Sequence, residues 1–210
     1  MGFDPQEALA SLRRADPVLA RLLDEHGSPD FVPDATRAGN DHYAALLRAI
    51  VGQQLSTRVA VVLWGRVVER FGGRPPTPQQ VLDDDPETLK TSVGLSRAKV
   101  GYLRSLAEHV ISGELDLEHV STLPDDELIR ELTAVKGIGE WSAHMFLMFQ
   151  LERPDVLAVG DLGVRRAVQL AYGLDELPKP AELTAIAEPW IPYRSVACRL
   201  LWRSLDNAPG

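Results

Sequence analysis

Helix boundary signals recur along this chain, and they restrict its fold more than any other feature of the sequence. An N-capping side chain precedes a proline at four places: Asp4-Pro5, Asp16-Pro17, Thr77-Pro78 and Asp85-Pro86. Such pairs are typical of helix starts, and three further caps stand without proline: Ser56, Ser96 and Asp161. Glycines that favour a left-handed helix end follow four apolar segments: Gly27, Gly72, Gly113 and Gly173. No run of residues alternates with period two. The sequence therefore predicts an all-α fold of about ten short helices.

Length and composition define the class of protein. The chain has 210 residues, of which 45% are hydrophobic and 25% charged, as expected for one globular body, here with two lobes. Its longest stretch without Asp, Glu, Lys or Arg covers residues 141–151, well short of the ~20 that cross a bilayer. The N-terminus lacks a basic region followed by an apolar one. We therefore expect a cytoplasmic protein without a membrane partner. The single cysteine, Cys198, excludes an internal disulfide and a four-cysteine zinc or iron–sulfur site.

The net charge of −8 argues mildly against nucleic acid, because domains that bind it usually have a basic surface. The acidic residues are, however, concentrated in 101–130, and 41–80 has an excess of basic ones. A local basic face still binds phosphates, since only the Lys and Arg that reach the backbone matter.

The segment 132–143 contains two glycines, Gly137 and Gly139, on either side of Ile138. This spacing predicts a tight turn between two helices, with exposed backbone amides at the start of the second. Converging amides and a helix N-terminus suit a phosphate, and Lys136 adds a positive charge. An ordinary connection between two helices explains these residues equally well.

Four blocks in this order resemble a known family: residues 49–57 (AIVGQQLST), 94–99 (GLSRAK), 135–143 (VKGIGEWSA) followed by 156–161 (VLAVGD), and 190–195 (WIPYRS) followed by Trp202. They are similar to the helix–hairpin–helix DNA glycosylase superfamily, and most like its DNA-3-methyladenine glycosylase II branch. The resemblance implies a single domain with a two-lobed helical glycosylase fold and a central cleft. One lobe would span about 47–154, the other 1–46 plus 155–210.

The resemblance makes Asp161 the catalytic residue. Breaking an N-glycosidic bond places positive charge on the sugar, which an ionised carboxylate stabilises while it orients or deprotonates the attacking water. The local sequence also predicts that Asp161 is the N-cap of a helix over 162–172. The two roles are compatible, because a cap fixes the position of the carboxylate.

The same resemblance places Trp141, Trp202 and Met145 in a pocket for a flipped base. Indole faces attract cationic bases, and a purine alkylated at N3 or N7 leaves as a neutral molecule without an acid. Taken singly, each tryptophan is more readily explained as a core residue than as a pocket residue, and we expect Trp190 to be one. Bifunctional members carry a nucleophilic lysine where this chain has Trp141, so the resemblance implies hydrolysis without strand cleavage.

Further residues are assigned to DNA binding. In relatives, the loop that matches 52–56 fills the gap left by the flipped base, which singles out Gln53, Gln54 and Leu55; an exposed polar turn is the alternative. Candidate phosphate contacts, or else solvated charges, are Arg58, Lys99, Arg165, Arg166 and Arg194. No cofactor is needed for the chemistry. The resemblance does imply a monovalent cation on hairpin carbonyls, here those of Thr133, Val135 and Ile138.

The sequence thus predicts a monomeric, monofunctional glycosylase that removes alkylated bases of the 3-methyladenine and 7-methylguanine type from damaged double-stranded DNA. Three alternatives remain open. The enzyme could act on deaminated or mismatched bases, the chain could be a non-catalytic helix–hairpin–helix DNA-binding protein, or it could be a helical interaction protein of unrelated function.

Overall fold

The computed structural model describes residues 3–31 and 41–206. These ranges contain α-helices and no strand, so the all-α prediction is confirmed. The twelve α-helices within the described ranges are α1 (Pro5–Ala15), α2 (Pro17–His26), α3 (His42–Gly52), α4 (Thr57–Arg70), α5 (Pro78–Asp83), α6 (Pro86–Val93), α7 (Arg97–Ser112), α8 (Asp125–Ala134), α9 (Glu140–Met145), α10 (Leu162–Tyr172), α11 (Pro180–Ile186) and α12 (Arg194–Asp206). A π-helical turn, Phe146–Gln150, continues α9, and a 3-10 turn, Glu188–Trp190, precedes α12.

The predicted helix boundaries are confirmed at nearly every position. All seven predicted N-caps accept a backbone N–H of the first turn through their side chains: Asp4, Asp16, Ser56, Thr77, Asp85, Ser96 and Asp161. Gly27, Gly113 and Gly173 are C-caps with φ of +73°, +79° and +65°. Helix α4 instead has Phe71 as its C-cap, and Gly72 follows it with φ of +79°.

The described residues form two compact units. One contains 41–146, which we call the hairpin unit, and the other contains 3–31 with 147–206, which we call the Asp161 unit. The divisions lie earlier in the chain than the expected 47 and 154. Helix α3 packs on α4 and α7 and so belongs to the hairpin unit as a whole. Residues near 154 belong to the Asp161 unit, because the Pro154 carbonyl accepts a hydrogen bond from the Ser195 N–H at 3.0 Å.

In the hairpin unit, α7 is the central element. It packs on α3, α5 and α6, while α8 and α9 pack on each other. The apolar faces of these helices form a core whose largest buried side chains include Leu46, Ile50, Leu103, Leu106, Leu128 and Leu132.

In the Asp161 unit, α12 packs on α1, α2 and α10. Trp190 and Cys198 are both completely buried in this unit, so the predicted core role of Trp190 is confirmed. Burial raises the pKa of the Cys198 thiol to about 12, which leaves it protonated and unreactive at neutral pH. Within the described ranges, no helix is both long and apolar enough to span a bilayer.

Candidate functional site

The turn between α8 and α9 depends on a glycine. Gly137 has φ of +95°, and a Cβ added there would lie 2.2 Å from Cγ of Tyr102. The ring of Tyr102, on α7, therefore packs directly against the turn. Ile138 is buried and donates its N–H to the Val135 carbonyl at 3.0 Å. Gly137 is required both for its left-handed backbone and for the space that the ring occupies.

The start of α9 lacks a side-chain cap. Gly139 is the N-cap of this helix and offers no side-chain acceptor to the first turn. The N–H groups at a helix start lack partners within the helix, and together with the helix dipole they form an anion site. Next to it, Lys136 is exposed, and its backbone N–H donates to Ser105 Oγ of α7 at 3.2 Å. Helix α7 thus holds the hairpin in place while the lysine side chain remains in solvent.

The turn at 53–55 is attached to the hairpin. Gln53 donates from Nε2 to the Gly137 carbonyl at 2.8 Å, and Ser142 Oγ lies 3.5 Å from the same nitrogen. The amide of Gln53 therefore points into the unit. Gln54 is exposed with φ of +57°, a left-handed value that side chains rarely adopt, and Leu55 is 37% exposed. These two residues form the outward tip of the turn.

Lys99 does not extend into solvent as a phosphate contact would. Its ammonium donates to the carbonyls of Val51 and Gln53 at 2.7 and 2.9 Å, and burial lowers its pKa. Lys99 therefore satisfies the carboxyl end of α3, where a cation is favourable. The expectation of a phosphate contact is corrected here, because the charge is used within the unit.

The arginines suggested by the sequence differ in what their side chains contact. Arg194 forms a two-pronged ion pair with Asp155, with two N–O distances of 2.8 Å, so its expected role as a phosphate contact is also corrected. Arg165 donates from Nε to the Pro178 carbonyl at 2.9 Å, and Arg166 contacts Gln169. Arg58 is exposed near the start of α4.

Trp141 is not a core residue. Its side chain is 50% exposed in the first turn of α9, so the core interpretation of this tryptophan is wrong. Met145, one turn further along, is half-buried. An indole with this exposure offers a flat apolar face to a ligand.

Asp161 lies at the start of α10 and is 9% exposed. Its Oδ1 atom accepts two hydrogen bonds, from the Val164 backbone N–H at 2.7 Å and from the Trp202 indole N–H at 2.8 Å. The capping prediction is confirmed. The second bond comes from a residue 41 positions away, and the two donors together fix the direction of the carboxylate.

Trp202 is itself held by neighbours that the sequence did not identify. Its ring stacks on Phe149 with a centroid distance of 5.9 Å and an interplanar angle of 23°. The Arg199 guanidinium lies 4.5 Å from the Phe149 centroid, a cation–π contact, and also donates to the Met148 carbonyl. In the sequence, Phe149 is distinguished only as the last residue of the apolar run 145–149.

The hairpin carbonyls are neutral oxygen donors, the kind that suits a monovalent cation. The Val135 carbonyl already accepts one hydrogen bond from Ile138, and a carbonyl has a second lone pair available. In the described ranges, no group of three or more His, Cys, Asp or Glu side chains is arranged to hold a metal ion.

The fold and the glycine hairpin together define a helix–hairpin–helix protein that binds DNA. The family model for the HhH-GPD superfamily of base excision DNA repair proteins matches residues 47–192, and the chain belongs to this family. The match contains the 53–55 turn, the hairpin and Asp161.

Individual relatives agree with this assignment. The chain is 31% identical to DNA-3-methyladenine glycosylase 1 of Schizosaccharomyces pombe, over 96% of this chain and 91% of the relative. A solved structure of S. pombe 3-methyladenine DNA glycosylase in complex with abasic DNA has a TM-score of 0.83, at 31% identity over 96% of this chain and 98% of the other. DNA-3-methyladenine glycosidase from Bacillus halodurans gives a TM-score of 0.82, at 34% identity over 95% of this chain and 89% of the other.

Proposed function

We propose that this protein is a monofunctional DNA glycosylase that removes alkylated bases, of the 3-methyladenine and 7-methylguanine type, from duplex DNA during base excision repair. The observation that carries the proposal is the carboxylate of Asp161, which is mostly buried and held at one oxygen by two hydrogen bonds. The similarity to S. pombe DNA-3-methyladenine glycosylase 1 supports it.

Asp161 suits the chemistry of base release. When the N-glycosidic bond breaks, the sugar acquires oxocarbenium character. A carboxylate held in a fixed position stabilises this charge without reorganising, and it orients or deprotonates the attacking water. The bond from the sugar to the base breaks, water supplies the new oxygen, and the base departs with the bonding electrons.

The donors around Asp161 favour a base that is a good leaving group. The two groups bonded to its Oδ1, a backbone amide and an indole N–H, are too weakly acidic to protonate a departing base. A purine alkylated at N3 or N7 carries a positive charge and leaves as a neutral molecule, so it needs no acid. This chemistry favours alkylated purines over normal ones.

The exposed indole of Trp141 suits the same substrates. An electron-rich ring attracts a cationic base by cation–π interaction, worth about 1–2 kcal/mol when the pair is desolvated. We assign Trp141 and the half-buried Met145 to base recognition. Trp202 completes the set of residues that contact the substrate.

The hairpin unit supplies the grip on DNA. The amides at the start of α9 and the exposed Lys136 contact backbone phosphates, which position a protein without reading sequence. Gln54 and Leu55, at the outward tip of the turn, fill the gap left by the flipped base. The other contributors in this unit are the residues that shape its surface: Gln53, Gly137, Ile138 and Gly139. Arg165, in the Asp161 unit, is proposed as a separate DNA contact.

We further propose a monovalent cation on the carbonyls of Thr133, Val135 and Ile138, which when bound would add positive charge for a phosphate. The reaction itself needs no cofactor. The protein acts as a monomer on double-stranded DNA that carries a damaged base, in the cytoplasm and, in a bacterium, at the nucleoid.

The proposal is tested by measuring base release from duplexes that each carry one defined lesion. We expect release of 3-methyladenine and 7-methylguanine, and little release of uracil, hypoxanthine or mismatched thymine. Release confined to the second group would show a glycosylase for deaminated or mismatched bases. Salt-dependent binding without any release would show a non-catalytic DNA-binding member of the family.

Borohydride reduction during turnover tests whether the reaction stops at an abasic site. Strand cleavage needs an amine that attacks the sugar carbon, and the chain has four lysines: Lys90, Lys99, Lys136 and Lys179. Lys99 is engaged by backbone carbonyls and Lys90 by Glu87. We expect no covalent adduct. An adduct that forms efficiently and disappears when one lysine is replaced would contradict hydrolysis.

Lys136→Ala tests the hairpin contact, with Lys179→Ala as the control because both lysines are exposed. Loss of one phosphate contact lowers the slope of log affinity against log salt by about one unit. We expect this change for Lys136→Ala on damaged and undamaged duplexes alike. A change confined to one lesion would instead place Lys136 at the base.

A further inference from the structure

We propose that Trp202 is a positioning residue for Asp161 and that base release requires position 163 to have no side chain. The inference rests on the proposed function of Asp161 and deepens it. It concerns only contacts within the Asp161 unit, among Asp161, Gly163, Trp202 and Phe149.

The edge of the Trp202 indole, as well as its face, is functional. An indole has a single N–H donor, and in Trp202 this donor is directed at Asp161 Oδ1 at 2.8 Å. The Val164 N–H reaches the same oxygen at 2.7 Å. The bond from the Val164 N–H anchors Oδ1 at the start of α10, and the bond from the indole sets the orientation of the carboxylate plane. Removing the indole donor would remove one of the hydrogen bonds that orient this plane.

Gly163 makes this bond sterically possible. A Cβ added at Gly163 would lie 3.1 Å from each of three atoms: Asp161 Oδ1, Trp202 Cδ1 and Trp202 Nε1. It would touch both partners of the hydrogen bond at once. Contacts this close are tighter than ordinary van der Waals distances, so one partner has to move.

Neither partner can move freely. Asp161 Oδ1 is fixed by the backbone of the first turn of α10. Trp202 is supported by the stacked ring of Phe149, over which the Arg199 guanidinium lies. A methyl group at position 163 would therefore separate the indole from the carboxylate or rotate the carboxylate away.

Backbone conformation does not explain this glycine. Gly163 lies in the first turn of α10, and its φ is not among the positive values of the described glycines. Alanine is the better helix former at such a position. The helix does not need the flexibility of a glycine at position 163. The glycine is explained instead by the space beside it, which the edge of the Trp202 indole fills.

Gly163→Ala is the first test, with Gly65→Ala as the matched control. Gly65 lies within α4, and an added Cβ there meets open space. We expect Gly163→Ala to lower the single-turnover rate of base release at least tenfold, since misplacement of a reacting group by ~1 Å costs about a hundredfold. The unfolding midpoint of Gly163→Ala does not fall below the wild-type value, and its Kd for duplex DNA does not rise above it. Gly65→Ala leaves the rate unchanged. Wild-type turnover by Gly163→Ala would overturn the proposal.

A second measurement does not depend on activity. The chain has four tryptophans, whose indole N–H groups give separate ¹H–¹⁵N resonances. The N–H of Trp190 donates to Asp16 at 2.8 Å and serves as an internal reference. We expect the Trp202 resonance to move in Gly163→Ala and in Asp161→Asn, while that of Trp190 stays in place.

The two measurements separate the two proposals. If the Trp202 resonance moves but the wild-type protein releases no base, the positioning contact is present and the proposed function fails. If the wild-type protein releases base but the Trp202 resonance is unaffected by both substitutions, the positioning inference fails and the proposed function stands.

Discussion

Asp16 and Asp161, both in the Asp161 unit, each cap a helix and each accept a hydrogen bond from an indole N–H. Asp16 is the N-cap of α2 and is 6% exposed. Its Oδ1 accepts the backbone N–H groups of Val18 and Leu19 at 2.8 and 3.3 Å. Its Oδ2 accepts the Trp190 indole N–H at 2.8 Å and the Tyr172 hydroxyl. Asp16 therefore joins the α1–α2 junction to α10 and to the turn before α12.

Asp161 also caps a helix and also accepts an indole N–H at 2.8 Å, but its cap bond and its indole bond both use Oδ1. Its tryptophan is half-buried, whereas Trp190 is completely buried. The comparison teaches that an aspartate cap bonded to an indole is not by itself a functional site. Full burial of the ring makes Asp16 a structural residue, whereas the partly exposed ring beside Asp161 suits that carboxylate to chemistry.

Replacing Asp16 gives the largest expected effect on stability. Asn caps helices well, but in Asp16→Asn an NH₂ group would replace an oxygen that accepts from Tyr172 or Val18. Removing one partner from a buried, charged hydrogen-bond network costs about 3 kcal/mol. Urea unfolding measures this loss. The rate of base release per folded molecule stays near that of the wild type, and a stable but inactive Asp16→Asn would erase the distinction between the two aspartates.

Substitution of Trp190 and of Trp202 by phenylalanine gives the next largest expected effects, one on stability and the other on the rate of base release. Trp190→Phe removes volume and a donor from the core, which costs about 2–3 kcal/mol. Trp202→Phe keeps an aromatic ring beside Phe149 but loses the N–H, and we expect a loss of about 1 kcal/mol or less at this half-buried site, with base release slowed about tenfold. Unfolding curves and single-turnover rates for both variants check the pattern. A Trp190→Phe variant with wild-type stability but slow base release would contradict this pattern.

These comparisons also show what sequence could reveal. The capping residues and the turn at Gly137 were predictable, because both depend on residue types within a few positions. The bond from Trp202 to Asp161 joins residues 41 positions apart, and local patterns do not contain such information. The same limit applies to two cations: Lys99 donates to backbone carbonyls, and Arg194 pairs with Asp155. Family likeness identified Trp202, but the need for Gly163 required the atomic positions.

Alkaline pH distinguishes the surroundings of the two aspartates by a smaller effect. Burial, followed by the hydrogen bond to Asp16, raises the pKa of Tyr172. Burial raises the pKa of Cys198 to about 12, and the charge of Asp161 acts in the same direction. Unfolded Cys and Tyr ionise near ~8.5 and ~10.

A raised folded-state pKa stabilises the protein fully below the unfolded pKa, and this stability is lost as pH rises towards the folded value. The free energy of unfolding therefore falls above pH ~8.5 through Cys198 and above pH ~10 through Tyr172, by up to ~1.4 kcal/mol per pH unit for each group. Urea unfolding between pH 8 and 11 measures it. Cys198→Ala flattens the lower part of the curve and Tyr172→Phe the upper part, and an unaltered curve in both variants would refute the assignment.

The central claim is that Asp161 carries the chemistry while contributing little to DNA affinity or to folding. The most direct measurement is single-turnover release of 7-methylguanine from a duplex by Asp161→Asn, alongside its Kd for the duplex and its unfolding midpoint. Since the asparagine still caps α10, we expect wild-type folding and binding, with base release slowed about a thousandfold or more. Release within tenfold of the wild-type rate would contradict the account.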